Sequence, residues 1–306
     1  MQILNNFKTL CFKSQPCSWF NSIRSINNTK MACSKYEYVK KFELSDNILP
    51  NTWIVVRIDG KGFHKFSKIH NFEKPNDKNA LNLMNYAATL VMQEYCDIIL
   101  SFGQSDEYSF VFHKNTEVYN RRHFKILSNV NSLFTSSYVM YWNDFLPDTK
   151  LQYPPSFDAR IVLYPSDQNL RDYLSWRQAD VHINNLYNTC FWMLVQKSGL
   201  TCKEAEEKLR GTISSEKHEL LFSQFGINYN DLDIMFKKGT ILIKKQVMLP
   251  TIEKNKILIC PFFEDMIRDD FWNRNDELLE KKKPKYLKLE EKNISIILKK
   301  QMDKFS

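Results

Sequence analysis

Two aspartates that border short apolar runs constrain the fold of this chain more than any other feature. Asp59 follows the run 53–58, and Asp106 lies in the segment 103–108 between two further runs. Apolar runs of this length, bounded by Gly and Asp, are typical of β-strands. Carboxylates at strand ends are held rigidly, and two at one sheet edge can bind the divalent cations that assist phosphoryl and nucleotidyl transfer. The sequence therefore predicts a sheet with an acidic, phosphate-handling edge.

Length and composition set the scale of the protein. Its 306 residues, 43% of them hydrophobic, suffice for one large domain or two ordinary ones with a buried core. No apolar stretch approaches the roughly 20 residues that a membrane-spanning helix needs, so no span is predicted.

The seven cysteines are scattered and contain no C-x-x-C pair. This spacing predicts neither a disulfide framework nor a structural zinc site and favours a reducing compartment.

The formal net charge of +8 is concentrated at the two ends of the chain. Residues 1–30 contain four basic residues and no acidic ones, and residues 280–306 contain nine lysines against four acidic residues. The long segment between them is close to neutral. Any polyanion site in the folded part must therefore be a local patch and not a global field.

The first thirty residues differ in composition from the rest of the chain. They are basic, free of Asp and Glu, and rich in Ser, Asn and bulky apolar residues, as mitochondrial transit peptides are. An untranslated or disordered leader is the alternative. Met31 follows and could begin a second form without this segment. We therefore expect a mitochondrial protein, with a cytoplasmic form if translation starts at Met31.

From residue 35 to 165 the pattern alternates between strand and helix periodicity. Strands are predicted over 54–58, 98–102, 108–112 and 157–164, and helices over 78–95 and 122–142. Asp77 is the predicted N-cap of the first helix, and Gly103 the turn of a hairpin with Asp106 at its tip or shoulder. The β-α-β-β-α-β order is the ferredoxin-like unit. With acids in these places it predicts an α+β fold with a catalytic, polymerase-like palm domain.

Residues 166–260 form a second, mainly helical domain in this prediction. Its helix signals are capping residues and terminal glycines, namely Ser166 or Asp167, Gly199, the capping-box pair Thr201 and Glu204, Gly211 and Gly226. A short strand over 240–243 follows the last helix. Residues 261–306, which include the lysine-rich end, are predicted to be a basic, irregular tail.

Two segments at the predicted acidic edge carry the chemistry. In Asp59-Gly-Lys-Gly-Phe-His64 the backbone amides can turn toward an anion, and the aspartate and the Gly60 carbonyl could hold a cation. Gly103-Gln-Ser-Asp-Glu-Tyr108 supplies Asp106. Either segment alone could be an ordinary turn, but the two together in one unit are more specific. Glu107 would point away from Asp106, so it would bind metal through water or simply be exposed.

Four separated strings extend this interpretation. They are Arg57-Ile-Asp-Gly-Lys-Gly-Phe-His64, Phe72-Glu-Lys-Pro-Asn-Asp77, Gly103-Gln-Ser-Asp-Glu-Tyr-Ser-Phe110 and Ser175-Trp-Arg-Gln-Ala-Asp-Val-His-Ile-Asn-Asn-Leu-Tyr-Asn-Thr189. In this order they resemble the eukaryotic tRNA(His) guanylyltransferase family, over about residues 35–245. The fourth string, around His182, is the one that ordinary palm enzymes lack.

The resemblance implies that a guanosine nucleotide is added to the 5′ end of tRNA(His) in the 3′–5′ direction. ATP would activate the tRNA 5′-phosphate, the 3′-hydroxyl of GTP would attack it, and pyrophosphate would be removed. The resemblance also implies a homotetramer. The same chemistry would extend to wider 3′–5′ tRNA repair.

The resemblance assigns roles to individual residues as well. Two magnesium ions would be bound by Asp59, Gly60 and Asp106. The nucleotide triphosphate would be contacted by Asp59, Gly60, Lys61, Gly62, Phe63, His64, Ser105 and Asp106. The catalytic residues would be Asp59, Asp106, Lys74 and Ser105, the last two in the activation step. Contacts to phosphate, a second nucleotide or tRNA would come from Arg57, Arg122, His182, Asn185 and Lys217.

Without the resemblance, several of these residues would receive no role. Lys74 and Lys217 would be surface lysines, and His182, among apolar neighbours, would be a histidine at the edge of the core. The core is predicted to include Cys190, Trp192 and Met193. Further candidates for docking tRNA are the pairs Arg121-Arg122 and Lys237-Lys238.

Two other functions stay open at this point. A palm-type nucleotide cyclase would keep both aspartates but have no use for tRNA. A non-catalytic tRNA-binding protein would need no metal pair. The string around His182 argues against the cyclase.

Overall fold

The structure, a computed structural model, describes residues 34–247 and 256–280. Its strands are β1 (Trp53–Gly60), β2 (Ile98–Gln104), β3 (Glu107–Phe112), β4 (Phe157–Tyr164), β5 (Thr240–Val247) and β6 (Lys256–Phe262). Its α-helices are α1 (Phe63–Ile69), α2 (Lys78–Glu94), α3 (His123–Met140), α4 (Trp142–Phe145), α5 (Asp167–Ser198), α6 (Cys202–Leu209), α7 (Ser214–Phe225), α8 (Ile234–Lys238) and α9 (Asp269–Arg274). Short 3-10 helices span Glu37–Phe42, Val118–Arg121, Tyr229–Asp231 and Asp276–Leu279.

The strands form one antiparallel sheet in the order β4-β1-β3-β2-β5-β6. Its first four strands, with α2 and α3 between them, have the predicted β-α-β-β-α-β order, so the α+β prediction is confirmed. In the described ranges no helix has the length and apolarity needed to cross a membrane. The predicted transit peptide lies outside the described residues.

The hairpin that carries Asp106 has a shorter loop than predicted. Gln104 pairs with Glu107, so the loop consists of Ser105 and Asp106 alone. Gly103 is not the turn but lies within β2, where a Cβ would come 2.1 Å from the Tyr108 ring. Ser105 has a φ of +47°, the backbone region that two-residue hairpin loops require. This tight turn places Asp106 at the tip.

The helix ends follow the predicted capping signals. Asp77 Oδ1 accepts a hydrogen bond from the backbone N–H of Ala80 at 2.9 Å, and Ser166 caps α5 in the same way. Thr201 and Glu204 form the predicted capping box. Local hydrogen bonds of this kind satisfy amides that the helix itself cannot, which explains why a sequence reveals them.

The sheet has an apolar core on both faces. On one face, α2 and α3 bury residues such as Leu83, Met92 and Phe134 against alternate positions of β1 and β3. On the other face, the first half of α5 and the C-terminal segment bury Leu174 and Trp272. The second half of α5 forms a smaller core with α6 and α7. This helical unit therefore extends from the sheet on a single long helix.

The C-terminal region departs from the prediction in two ways. β5 and β6 add to the sheet beside β2, and residues 261–280 are not an irregular tail. Phe271 and Trp272 are buried, and the buried Lys245 donates a hydrogen bond to Asn275 Oδ1 at 2.7 Å. The burial of these apolar residues orders the segment, which the composition of its lysine run does not indicate. The lysine run itself lies outside the described residues.

The described residues include four of the seven cysteines. Cys190, Cys202 and Cys260 carry free thiols. Cys96 is disulfide-bonded, which the scattered cysteine spacing did not predict.

Candidate active site

The acidic edge forms where β1 ends beside the tip of the β2–β3 hairpin. Asp59 lies opposite Glu107 in the β1–β3 ladder. The backbone N–H of Gly60 donates to the carbonyl oxygen of Asp106 at 3.0 Å, which joins the two segments directly. The structure therefore brings together the two aspartates that the sequence singled out, although they are separated by 47 positions along the chain.

The Asp106 carboxylate lies in an environment that disfavours its charge. Burial raises its pKa, the negative charge of Asp59 raises it further, and a hydrogen bond from Ser105 opposes both effects. A cation between the two aspartates would offset this unfavourable charge. The described residues contain no group of three or more Asp, Glu, His or Cys side chains placed to hold a metal. Two carboxylates and a backbone carbonyl suit Mg²⁺, which takes its other ligands from water and substrate phosphates.

Glu107 lies on the other face of the sheet, as its sequence position predicted. Its carboxylate pairs with Arg177 of α5 at 3.1 Å, and both side chains are largely buried. Burial raises the Glu107 pKa, while the charges of Arg177 and Arg57 lower it. This ion pair occupies the carboxylate, so Glu107 anchors α5 to β3 in this structure.

The glycine-containing loop after β1 is tightly packed. A Cβ on Gly60 would come 2.3 Å from the Phe63 ring, so only glycine fits there. Gly62 has a φ of +69°, which also favours glycine. The Phe63 ring is buried against Phe66, whereas the side chains of Lys61 and His64 are exposed. The N–H of Lys61 donates to the Ser156 carbonyl, so this amide is already engaged.

A cavity of about 450 Å³ opens on the Asp106 side of the edge. Ser105, Asp106 and Lys74 line it together with His64. Its remaining walls come from α1, the loop before α2, and α5, including Phe72, Asn76, Tyr187, Phe191 and Trp192. A cavity of this size and mixed polarity can take a nucleotide.

Lys74 is held inside this cavity by neutral groups. Its ammonium donates to Ser67 Oγ at 2.8 Å and lies 5.6 Å from the centre of the Trp192 ring. Burial lowers the Lys74 pKa, and the charge of Asp77 partly opposes this. Among the residues that the structure describes, no carboxylate forms an ion pair with this ammonium, so it can meet an anionic ligand.

Trp192 is a pocket residue that sequence reasoning missed. It was predicted to be core, but its side chain is partly exposed and borders the cavity beside Lys74. A tryptophan on a long helix is usually buried, and its partner lies 118 positions earlier in the chain. No local pattern could have revealed this contact.

The arginines proposed from the sequence differ in their surroundings. Arg57 Nε is buried and has no hydrogen-bond partner in the described part of the chain. Arg122 pairs with Asp46 at 3.1 Å. Arg121, a predicted docking residue, instead donates to the backbone carbonyls of Lys114, Thr116, Leu49 and Thr52. These bonds hold loops together, so Arg121 is structural in this fold.

His182, Asn185 and Lys217 lie in the helical unit. Asn185 is only 6% exposed, and both ends of its amide are used: Oδ1 accepts from Asn76 at 2.8 Å, and Nδ2 donates to Tyr229 Oη at 3.0 Å. This geometry makes Asn185 a link to the pocket loop and not a surface contact. Burial, followed by the charge of His218, lowers the His182 pKa. Lys217 donates to the Thr212 carbonyl at 2.7 Å.

The docking pair Lys237-Lys238 also has protein partners. Lys238 forms an ion pair with Asp265 at 2.7 Å, and Lys237 donates to the Asn230 carbonyl. Both ammonium groups are nevertheless half-buried at the surface, near enough to His182 to disfavour its charged form.

Together, the fold and the cavity define an α+β protein with a nucleotide-sized pocket at the carboxylate edge of an antiparallel sheet. Two family models match the chain: "tRNAHis guanylyltransferase" over residues 36–165 and "Thg1 C terminal domain" over residues 168–301. The chain belongs to the tRNA(His) guanylyltransferase family, a family of nucleotidyltransferases.

Two relatives agree with this assignment. The probable tRNA(His) guanylyltransferase of Drosophila melanogaster is 62% identical over 254 residues, which cover 83% of this chain and 88% of the relative. The tRNA(His) guanylyltransferase of Schizosaccharomyces pombe is 54% identical over 79% of this chain and 96% of its own length.

Solved structures of the same type resemble the fold. The tRNA(His) guanylyltransferase of Saccharomyces cerevisiae matches with a TM-score of 0.66 and 54% identity, over 68% of this chain and 93% of that one. A bacterial Thg1-like protein in complex with ATP matches with a TM-score of 0.64, over 81% of this chain and 99% of its own. At 21% identity the bacterial match supports the fold alone.

Proposed function

We propose that this protein adds a guanosine nucleotide to the 5′ end of tRNA(His) in the 3′–5′ direction, using ATP and GTP. One observation carries the proposal: in a chain of this family, Lys74, Ser105 and Asp106 line one nucleotide-sized cavity, and Asp59 ends the neighbouring strand. The β-α-β-β-α-β unit with acids in these places would be a polymerase-like palm.

Magnesium would supply Lewis-acid chemistry here, lowering the pKa of a reacting hydroxyl and neutralising phosphate charge. Asp59, Asp106 and the Gly60 carbonyl are the oxygen donors that fit it. We propose that two magnesium ions bind here, as the resemblance to the tRNA(His) guanylyltransferase family implies. The partly buried carboxylates would hold the reacting groups at a fixed distance from the sheet edge.

Lys74 and Ser105 would act on the phosphates in the activation step. The Lys74 ammonium, which donates to Ser67 and forms no ion pair within the described residues, would stabilise negative charge that develops on the triphosphate. The Ser105 hydroxyl, on the strained hairpin tip, would donate to a phosphate oxygen. The Gly60 and Lys61 amides of residues 59–64 are engaged within the protein, so the exposed side chains of Lys61 and His64 would donate to the same phosphates.

The aromatic walls of the cavity would hold the nucleotide base. Phe72 and Trp192 flank the site of Lys74, and apolar rings of this kind exclude water and stack on bases. Exclusion of water matters for this chemistry because an activated 5′-phosphate would otherwise be hydrolysed.

The assay that tests the proposal supplies 5′-phosphorylated tRNA(His), ATP, magnesium and labelled GTP. We expect label at the 5′ end of the tRNA, dependent on ATP. Without label transfer by the wild-type protein, the proposed activity would have to be abandoned. A cyclic product from ATP or GTP would instead indicate the cyclase, and tRNA binding without any product would indicate the non-catalytic protein.

Assembly and location are separate proposals. We propose a homotetramer, which sedimentation equilibrium of the purified chain would show by a fourfold monomer mass. We also propose import into mitochondria through residues 1–30, with a cytoplasmic form from Met31. Fractionation of cells that express forms starting at Met1 or Met31 tests this, and identical distribution of both forms would contradict it.

A further inference from the structure

One aromatic side chain beside the acidic edge is unusually exposed. Trp176, on the first half of α5, has 57% of its surface accessible. The guanidinium carbon of Arg177 lies 3.5 Å from the centre of its ring, and the ring of Tyr173 approaches it edge-on. Stacking with a guanidinium fixes a tryptophan ring in one orientation.

Arg177 connects this ring to the acidic edge. Its Nη1 pairs with Glu107 at 3.1 Å and with Asp180 at 3.7 Å, and its side chain is only 8% exposed. Glu107 in turn lies opposite Asp59 in the β1–β3 ladder. Arg177 therefore bridges Trp176 and Glu107, the residue opposite Asp59. Its buried ion pair holds the tryptophan ring in place.

Arg57 supplies a cationic group on the same face of the sheet. By the two-residue alternation of β1 it shares the face of Val55, against which α5 packs. It forms no ion pair within the described residues, and its buried Nε lacks a partner. Two neighbouring arginines on this face are paired, Arg160 with Asp158 and Arg177 with Glu107. Unlike them, Arg57 keeps a guanidinium that can meet the phosphate of a ligand.

We propose that Trp176 stacks on an unpaired base at the acceptor end of the tRNA, while Arg57 contacts a phosphate beside it. This inference rests on the proposed function, because it names where the tRNA end lies relative to the acidic edge. Proteins recognise unpaired RNA bases by stacking them on aromatic rings, and such stacks tolerate any base. The unpaired nucleotides at the 3′ side of an acceptor stem are the ones nearest its 5′ end.

The experiment measures the Kd for 5′-phosphorylated tRNA(His) with wild type, Trp176→Ala and Trp176→Phe. We expect Trp176→Ala to weaken binding about tenfold, and Trp176→Phe to restore most of it, because a ring remains. A tRNA that lacks its unpaired 3′ nucleotides should bind wild type and Trp176→Ala equally. Phe124→Ala is the matched control, since Phe124 is also 57% exposed but lies on α3, on the opposite face of the sheet. It should leave Kd unchanged.

Salt dependence separates the two partners of the proposed site. Arg57→Met should lower the slope of log Kd against log salt by about one ion, whereas Trp176→Ala should leave the slope unchanged. An unchanged Kd for Trp176→Ala would overturn the inference. So would a change in sedimentation mass in this variant, because it would identify the ring as a subunit contact. The guanylyl-transfer assay on wild type judges the proposed function independently, since it does not depend on either variant.

Discussion

The two faces of the sheet meet the acidic edge in different ways. On the face covered by α2 and α3, Asp106 lines a half-open cavity of about 450 Å³ together with Lys74 and aromatic side chains. On the face covered by α5, Glu107 is engaged by Arg177, and an exposed Trp176 lies beside it. One side has a cavity that can take a nucleotide, and the other presents an exposed aromatic ring. A reaction that joins a nucleotide to a large RNA needs both kinds of site at one edge.

The largest expected effect comes from the aspartates that the two faces share. Asp59→Asn and Asp106→Asn keep the shape of the side chain but remove a charged oxygen ligand, so we expect activation and transfer to fall by at least about 10²-fold. Single-turnover assays of each step, with tRNA Kd measured in parallel, check this. tRNA binding should stay within threefold of wild type.

Asp158→Asn is the matched control for this loss. Asp158 is an exposed carboxylate directly opposite Asp59 in the β1–β4 ladder, so its removal takes away the same charge at the same edge. It should keep near-normal turnover. Equal loss in all three variants would mean that overall charge, and not ligation, controls the rate.

Lys74 tests the pocket face alone. Lys74→Met removes the ammonium but keeps the length of the side chain, and we expect the ATP-dependent activation of tRNA to fall about 10²-fold. Transfer of GTP onto tRNA that already carries a 5′-triphosphate should fall much less. The exposed Lys68 of α1 provides the control as Lys68→Met. If both steps fell equally, Lys74 would not belong to the activation step.

Asn185 tests the link between the helical unit and the pocket loop. Asn185→Ala removes the acceptor of the Asn76 amide and the donor to the largely buried Tyr229 hydroxyl. We expect the free energy of unfolding to fall by about 1–3 kcal/mol. Thermal or urea unfolding measures it, with the exposed neighbour Asn184→Ala as the control. Similar values for the two variants would show that the buried bonds contribute little.

The pH dependence of the activation step should show a smaller effect, a fall in activity at high pH. Burial lowers the Lys74 pKa, so its ammonium loses its proton at a lower pH than an exposed lysine does. kcat/KM for ATP should therefore decline on an alkaline limb below the ordinary lysine pKa of about 10.4. Lys74→Arg should lose this limb, because arginine stays protonated. A limb that persists in Lys74→Arg would belong to another group.

The local part of the fold could be predicted from sequence. Strand periods, the N-cap of Asp77 and the position of Asp106 in a hairpin follow from residues close together in the chain. The exact loop did not follow, because Ser105 adopts a positive φ that favours Gly or Asn in most chains. Packing around Tyr108 placed Gly103 inside the strand instead.

The site could be predicted only in part, for a physical reason. The positions of Asp59 and Asp106 could be predicted because each borders an apolar run, and such runs predict strands. The bonds from Asn185 to Asn76 and from Arg177 to Glu107 join residues 109 and 70 positions apart, and no sequence period encodes them. The sequence did not predict the ordered structure of residues 261–280, because the nearby lysines favour an irregular tail. Burial of Phe271 and Trp272, which depends on tertiary contacts, orders this segment.

The division of labour between the two faces has one direct test. Equilibrium binding of ATP and of 5′-phosphorylated tRNA(His) is measured for Lys74→Met on the pocket face and Arg57→Met on the α5 face. We predict that Lys74→Met weakens ATP binding and leaves the tRNA Kd unchanged, and that Arg57→Met does the reverse. If each variant weakened both ligands to the same extent, the two faces would not be separate sites.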